Sequence, residues 1–286
     1  MIRFAVLVLA VLFPFGARAQ VLLAGHPVTA GLALALAKDT PLTVETVVPA
    51  AIPMARQYAF LTGRGEAKLT EAARRADAVL TLRSVWAEDP LYPLARRASI
   101  RLVEIDAARP VDGALAGVAL RDGAGYPWLG IANAGRMADI VAADLRRLYP
   151  THKGAIDTNL AGLKRNLLVL SSTAARDFAA LDDVSVAVLS DRFLLLAADL
   201  GLDVRRSWML DDRDWTPDRL AALSAFLKVE AIPLVLHHRQ PAPEIVQAVT
   251  DGGARLVVVD SLESGPPAPM DAALGRMVET ILAGLR

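Results

Sequence analysis

Residues 153–181 read KGAIDTNLAGLKRNLLVLSSTAARDFAAL, and the organisation of the whole chain turns on this stretch. Leu160, Leu163, Leu167, Leu170, Ala174, Phe178 and Leu181 recur every three or four positions, so a helix over Lys153–Leu181 places them on one face. At 1.5 Å per residue that helix is roughly 40 Å long, enough to run down the side of two lobes and join them. Gly162 and the pair Ser171-Ser172 leave open the alternative of two ordinary helices broken at one of those points. Another helix, over Asn133–Leu148, precedes it and is closed by Pro150.

On either side, short apolar runs alternate with longer amphipathic stretches, which predicts a mostly parallel α/β arrangement. Before the long helix, strands are expected at Val21–Ala24, Thr43–Val48, Ala78–Leu82 and Ile100–Ile105. The helices between them are expected at about Val28–Ala37, Glu66–Ala73 and Leu91–Arg97. After it, strands are expected at Val184–Leu189, Arg205–Leu210, Leu234–His237 and Arg255–Val259. Their helices are expected at Asp191–Leu200, Pro217–Lys228, Pro243–Thr250 and Pro269–Leu285. The expected fold is therefore two Rossmann-like, four-stranded parallel-sheet lobes joined by one long backbone helix, with a cleft between the lobes. The division is 20–150 for the first lobe, 151–181 for the linker helix and 182–286 for the second.

The first nineteen residues read as an export signal. Arg3 supplies a positive start, Phe4 to Phe15 an apolar run, and Ala17-Arg18-Ala19 the small-x-small pattern that places cleavage before Gln20. The run falls short of the about 20 residues that a bilayer span needs. No Cys follows it to carry a lipid, so the expected mature protein is soluble, periplasmic and, as a diffusing carrier, monomeric. Among 286 residues, 31 Lys and Arg balance 31 Asp and Glu, so no basic field invites nucleic acid. With no Cys there is no disulfide, thiolate metal site or cysteine nucleophile. No G-x-S-x-G, phosphate-cradling glycine loop or H-E-x-x-H is present, so no enzyme class is indicated.

Several short blocks, in order, resemble the solute-binding proteins of zinc and manganese ABC transporters (the cluster A-I family). They are His26-Pro27 after the first strand, Ala76-Asp77-Ala78-Val79-Leu80, and Trp128-Leu129 followed by Asn133-Ala134. Ser190-Asp191-Arg192-Phe193 with Gly201-Leu202, and Val259-Asp260-Ser261-Leu262, complete the series. The resemblance spans nearly the whole mature chain. It implies a periplasmic binding protein that delivers Zn or another divalent transition metal, or a small metal chelate, to an inner-membrane ABC permease and its ATPase.

The ligand set is where the chain departs from that family, whose members use three His, or two His and a Glu, plus a terminal carboxylate. By resemblance those positions fall at Met54, Tyr126, Ser190 and Asp260, and only Asp260 keeps a cation-binding group. Met, Tyr and Ser match Zn²⁺ poorly, because zinc prefers imidazole, thiolate and carboxylate. A rebuilt site is the remaining possibility. Ligands in open α/β sheets sit beyond the C-terminal strand ends, and His26, His237, His238 and Asp260 all fall there. Successive strand residues point to opposite faces, so at most one of His237 and His238 is expected to face the cleft. Tyr126, Ser190, Trp86 and Met54 are expected to line it, and Asp191 to cap a helix. Two readings stay open: a metal or chelate carrier with a non-standard site, or a family member that has lost metal binding and serves as a periplasmic accessory protein.

Overall fold

The computed structural model describes residues 20–120 and 125–286, and the expected export signal lies outside them. The first sheet comprises β1 (Gln20–Ala24), β2 (Leu42–Thr46), β3 (Ala78–Thr81) and β4 (Val103–Asp106), in the order β2-β1-β3-β4 with every pair parallel. The helices of this lobe are α1 (Pro27–Leu36), α2 (Gln57–Leu61), α3 (Glu66–Arg75) and α4 (Leu91–Ala95). Two long helices follow, α5 (Ile131–Leu148) and α6 (Lys153–Ala179). The second sheet repeats the first: β5 (Ser185–Val188), β6 (Asp203–Ser207), β7 (Leu234–His237) and β8 (Arg255–Val258), in the order β6-β5-β7-β8 and all parallel. Its helices are α7 (Leu194–Asp199), α8 (Pro217–Val229), α9 (Pro243–Asp251) and α10 (Met270–Leu285).

The long-helix expectation resolves in favour of a single element, since α6 runs unbroken through Gly162 and Ser171-Ser172 over 27 residues. Its expected face is the one it buries: Leu163, Leu167, Ala174 and Phe178 lie in the core, and Leu160, Leu170 and Leu181 pack against it half-buried. Gly at mid-helix costs about 1 kcal/mol relative to Ala, less than this buried stripe returns. Other expectations shift at their ends. The fourth strand starts at Val103 rather than Ile100, because Ile100 is in an exposed turn. Asp191–Leu200 divides into a 3₁₀ turn (Asp191–Phe193) and α7, and Ser190, not Asp191, caps it by accepting from the Arg192 amide at 3.3 Å. The five-residue α2 has too few residues to show a period and was not expected.

Parallel sheets need cover on both faces. In β1, Leu22 faces inward while Val21 and Leu23 face the outer helices α3 and α4. The inner face joins one continuous core that also contains Ile105, Trp128, Met137, Phe178, Val188, Leu236 and Ile281, from both lobes and from α5, α6 and α10. The lobes therefore share a core and do not form two separate ones. Among the described residues no helix is long and apolar enough to cross a membrane.

The loop between β8 and α10 straps the second lobe to the first. Gly265 donates its amide to the Ala50 carbonyl at 2.7 Å, and Met54 donates to the Glu263 carbonyl at 3.0 Å. Further along, the Ala268 carbonyl lies against Gly31 of α1, where an added Cβ would stand 2.2 Å from its oxygen. Helix propensity favours Gly31→Ala by about 1 kcal/mol, but overpacking against a fixed backbone costs about 1–3 kcal/mol. We expect Gly31→Ala to destabilise the protein, read as a lower urea midpoint at unchanged m-value.

Candidate functional site

Both sheets have their switch point between the first and third strands, and the crevice lies beyond the C-terminal strand ends. From the first lobe, the loop after β3 brings Val85 and Trp86, and the turn before α2 brings Met54. Tyr126 and Trp128 come from the segment leading into α5. From the second, the turn after β5 brings Ser190, Asp191 and Arg192, and the β8–α10 loop brings Glu263. These residues border a cavity of about 390 Å³, except Ser190, which is buried beneath Arg192.

The polar centre of the cleft is a carboxylate. Glu263 Oε1 accepts from the Tyr126 hydroxyl and from Arg192 Nη2, each at 3.0 Å. Glu263 Oε2 accepts from Arg192 Nε at 2.6 Å and from Ser261 Oγ at 2.5 Å. A carboxylate offers about four lone-pair directions, and all four are taken. The remaining Arg192 nitrogen, Nη1, reaches Ser190 Oγ and Asp191 Oδ1, both at 3.3 Å. Its guanidinium also lies 4.4 Å from the Tyr126 ring centre, a cation–π distance. Burial opposes ionisation of Glu263, but the bonds from Arg192 and Ser261 outweigh it and hold the carboxyl below its usual range. Burial, with Glu263 beside it, pushes the Tyr126 phenol up despite Arg192, so Tyr126 stays a neutral donor.

Of the residues expected to line the cleft, Met54, Tyr126 and Trp86 border the cavity. The four expected metal ligands are not brought together. Asp260 is exposed and folds back on its own loop, its Oδ1 accepting from the Leu262 amide at 2.9 Å, with Leu262 at φ +57°. His26 is buried as the N-cap of α1, its Nδ1 accepting from the Val28 amide at 3.2 Å. His237 Nδ1 likewise accepts from the amides of His238 and Arg239, at 2.8 and 3.3 Å. An Nδ1 that accepts carries no proton, so both rings are protonated on Nε2 and present a donor there instead of a ligating lone pair. The alternation argument for His237 and His238 does not apply, because β7 ends at His237. The chain turns, and the two rings lie together with centroids 4.6 Å apart. Among the described residues no three His, Asp or Glu side chains form a metal-holding group. The residues present do not fit a bare transition-metal ion.

Arg192 and Glu263 were not singled out from the sequence. The available signal was indirect: a cation two residues after Ser190 and a carboxylate three residues after Asp260, beside positions the family uses for ligands.

Burial lowers the His26 imidazole to about 3, and burial with nearby guanidinium groups lowers His237 and His238 to about 4. The unfolded chain protonates these rings near 6.5. Between about pH 6.5 and 4 the unfolded state thus binds protons that the folded state does not, and stability falls as pH falls. Asp89 works the other way. It is buried while accepting from the Leu82 and Leu91 amides, burial raises it to about 6, and it gains its proton first in the folded state. Each of the three His steepens the acid limb by up to about 1.4 kcal/mol per pH unit. His26→Asn, which keeps a capping side chain, should flatten that limb in unfolding curves taken from pH 7 to 4.

The family model described as zinc-uptake complex component A, periplasmic, matches residues 98–281. Comparison with curated protein sequences gives no match. Among solved structures, the chain is similar to the manganese complex of FpvC from Pseudomonas aeruginosa, at TM-score 0.67 and 16% identity over 94% of this chain and 98% of that one. It is also similar to the Zn(II)-bound ZnuA-like domain of Streptococcus pneumoniae AdcA, at TM-score 0.68 and 19% identity over 92% and 98%. The laminin-binding protein Lbp of Streptococcus pyogenes matches at TM-score 0.69 and 18% identity over 94% and 100%. At these identities the structural likenesses establish the fold, and the family match, which spans well over half the sequence, establishes descent: the chain belongs to the zinc-uptake complex component A family of periplasmic metal-transport proteins.

Proposed function

We propose that this chain is a periplasmic accessory protein of a metal-uptake ABC system, built on the body of a solute-binding protein but taking no bare divalent ion into its cleft. Its family consists of transport components, not enzymes. One observation carries the reading: the four-donor closure of Glu263 by Tyr126, Ser261 and Arg192, with the remaining Arg192 nitrogen held by Ser190 and Asp191. An entering cation meets a positive guanidinium and, at Glu263, a carboxylate with no free lone pair, and the other carboxylates on the cavity, Asp191 and Glu88, do not gather with it into a metal-holding group. The neutral, Nε2-protonated rings of His26 and His237 supply no substitute ligand. In this reading the protein acts as a monomer, and its lobe tops dock on an inner-membrane permease that works with an ATPase.

A second reading, a small metal chelate as cargo, is favoured by the mouth of the cleft. Met54, Val85 and Trp86 give it an apolar wall, and its volume falls within the about 300–1,000 Å³ of small-molecule sites.

A ligand that binds only the native state raises the melting temperature, by about 2.7 kcal/mol of added stability at a hundred times Kd. After chelator treatment, we expect Zn²⁺, Mn²⁺ and Ni²⁺ to leave the melting temperature of the protein from Gln20 onward unchanged. A shift that disappears in Glu263→Gln would overturn the accessory reading. A shift given only by a preformed metal chelate, and lost in Trp86→Ala, would establish the second.

A further inference from the structure

We propose that Arg192 determines the specificity of the cleft: its guanidinium is a built-in cation that ties the lobe tops together and keeps divalent ions out. The inference rests on the metal-free reading above and deepens it by naming the residue responsible.

Arg192 reaches across the cleft from the second lobe. Its guanidinium carbon lies over the Tyr126 ring, from the segment leading into α5, while two of its nitrogens grip Glu263. Glu263 in turn receives the Tyr126 hydroxyl, and its carbonyl accepts from the Met54 amide of the first lobe. Two residues further, Gly265 donates to Ala50. One cationic group therefore sits where the two lobes meet, surrounded by oxygens and a π face. A bound divalent ion would satisfy such a cluster through undirected charge. The guanidinium does so with a planar fork of donors and remains charged throughout the working pH range. The side chains of Arg192 and Glu263 are only 20% and 19% exposed, so water screens the pair far less than a surface ion pair.

Removing the guanidinium leaves Glu263 with two of its four donors, in an oxygen-lined space beside Tyr126, Ser190 and Asp191. Such a set suits a hard or borderline divalent ion, of which Mn²⁺ is a suitable probe. The guanidinium ion itself is the second probe, since it restores the missing group.

Amide hydrogen exchange over residues 49–56 and 261–268 tests the tie. In the wild type these two loops should be protected to the same degree with and without Mn²⁺. In Arg192→Ala they should exchange at least about tenfold faster. Millimolar guanidinium chloride or Mn²⁺, but not sodium chloride of equal ionic strength, should return the protection. Arg192→Lys, which keeps the charge but loses the paired bonds, should fall between the two, and it carries the test if Arg192→Ala does not fold. Wild-type exchange rates in these variants would overturn the proposal. Faster exchange that neither probe reverses would also overturn it, by showing that the cleft is not a cation site. Extra protection of the wild type by Mn²⁺ would instead refute the metal-free reading, while the tie itself stands or falls on the variants' exchange rates.

Discussion

Two parallel sheets of four strands each have more apolar surface than their own helices cover, and this protein meets the constraint by sharing cover between them. Helices α5, α6 and α10, with α1 against them, form a common inner layer. The side chains of β1, β3, β5 and β7 that face it belong to one core. Residues on the other faces of those strands enter smaller clusters under the outer helices. Because the inner layer belongs to both lobes, a wide swing of one against the other would expose core. The contact of Gly31 with the Ala268 carbonyl, where not even a methyl group fits, adds a second restraint at the seam. A wide opening or closing of the cleft is thereby disfavoured, and its function is read from the groups already in it.

At their centre Glu263 and Arg192 form a charge-balanced pair bonded to Tyr126 and Ser261, and Asp191 adds a further carboxylate beside Arg192. Glu263 is ionised because Arg192 and Ser261 offset its desolvation, and Tyr126 keeps its proton because burial disfavours the phenolate. His26 meets Trp128 edge-on with ring centres 5.3 Å apart and lies 5.9 Å from the Trp86 ring, and burial keeps it uncharged. A site made to receive a metal ion leaves lone pairs unfilled until the ion arrives. Here the lone pairs of Glu263 are filled by the chain's own donors, Tyr126, Ser261 and Arg192.

The histidines show how position and availability differ. Three of the four lie at C-terminal strand ends, where α/β proteins place ligands. That placement is correct for His26, His237 and His238. For His26 and His237 backbone geometry disfavours ligation: the amide of Val28, and those of His238 and Arg239, occupy the two Nδ1 lone pairs and fix the proton on Nε2, whereas His238 Nδ1 accepts from none of them. Asp260 likewise falls in the expected loop, but its carboxylate closes a turn at Leu262, and the neighbouring Glu263 enters the cleft instead.

By itself, the sequence determined the two-lobed parallel α/β plan, the amphipathic face of α6, the order of blocks that marks the family and the loops that border the cleft, while the structure decided that α6 is unbroken. The features set by the sequence depend on residue spacing, which survives any detail of packing. Only the tertiary structure decided which side chains meet: that Arg192 and Glu263, 71 residues apart, converge with Tyr126, and that Asp260 turns away. Hydrogen-bond direction and charge pairing depend on distances below 3.5 Å between segments distant in sequence, and no periodicity within either segment encodes them.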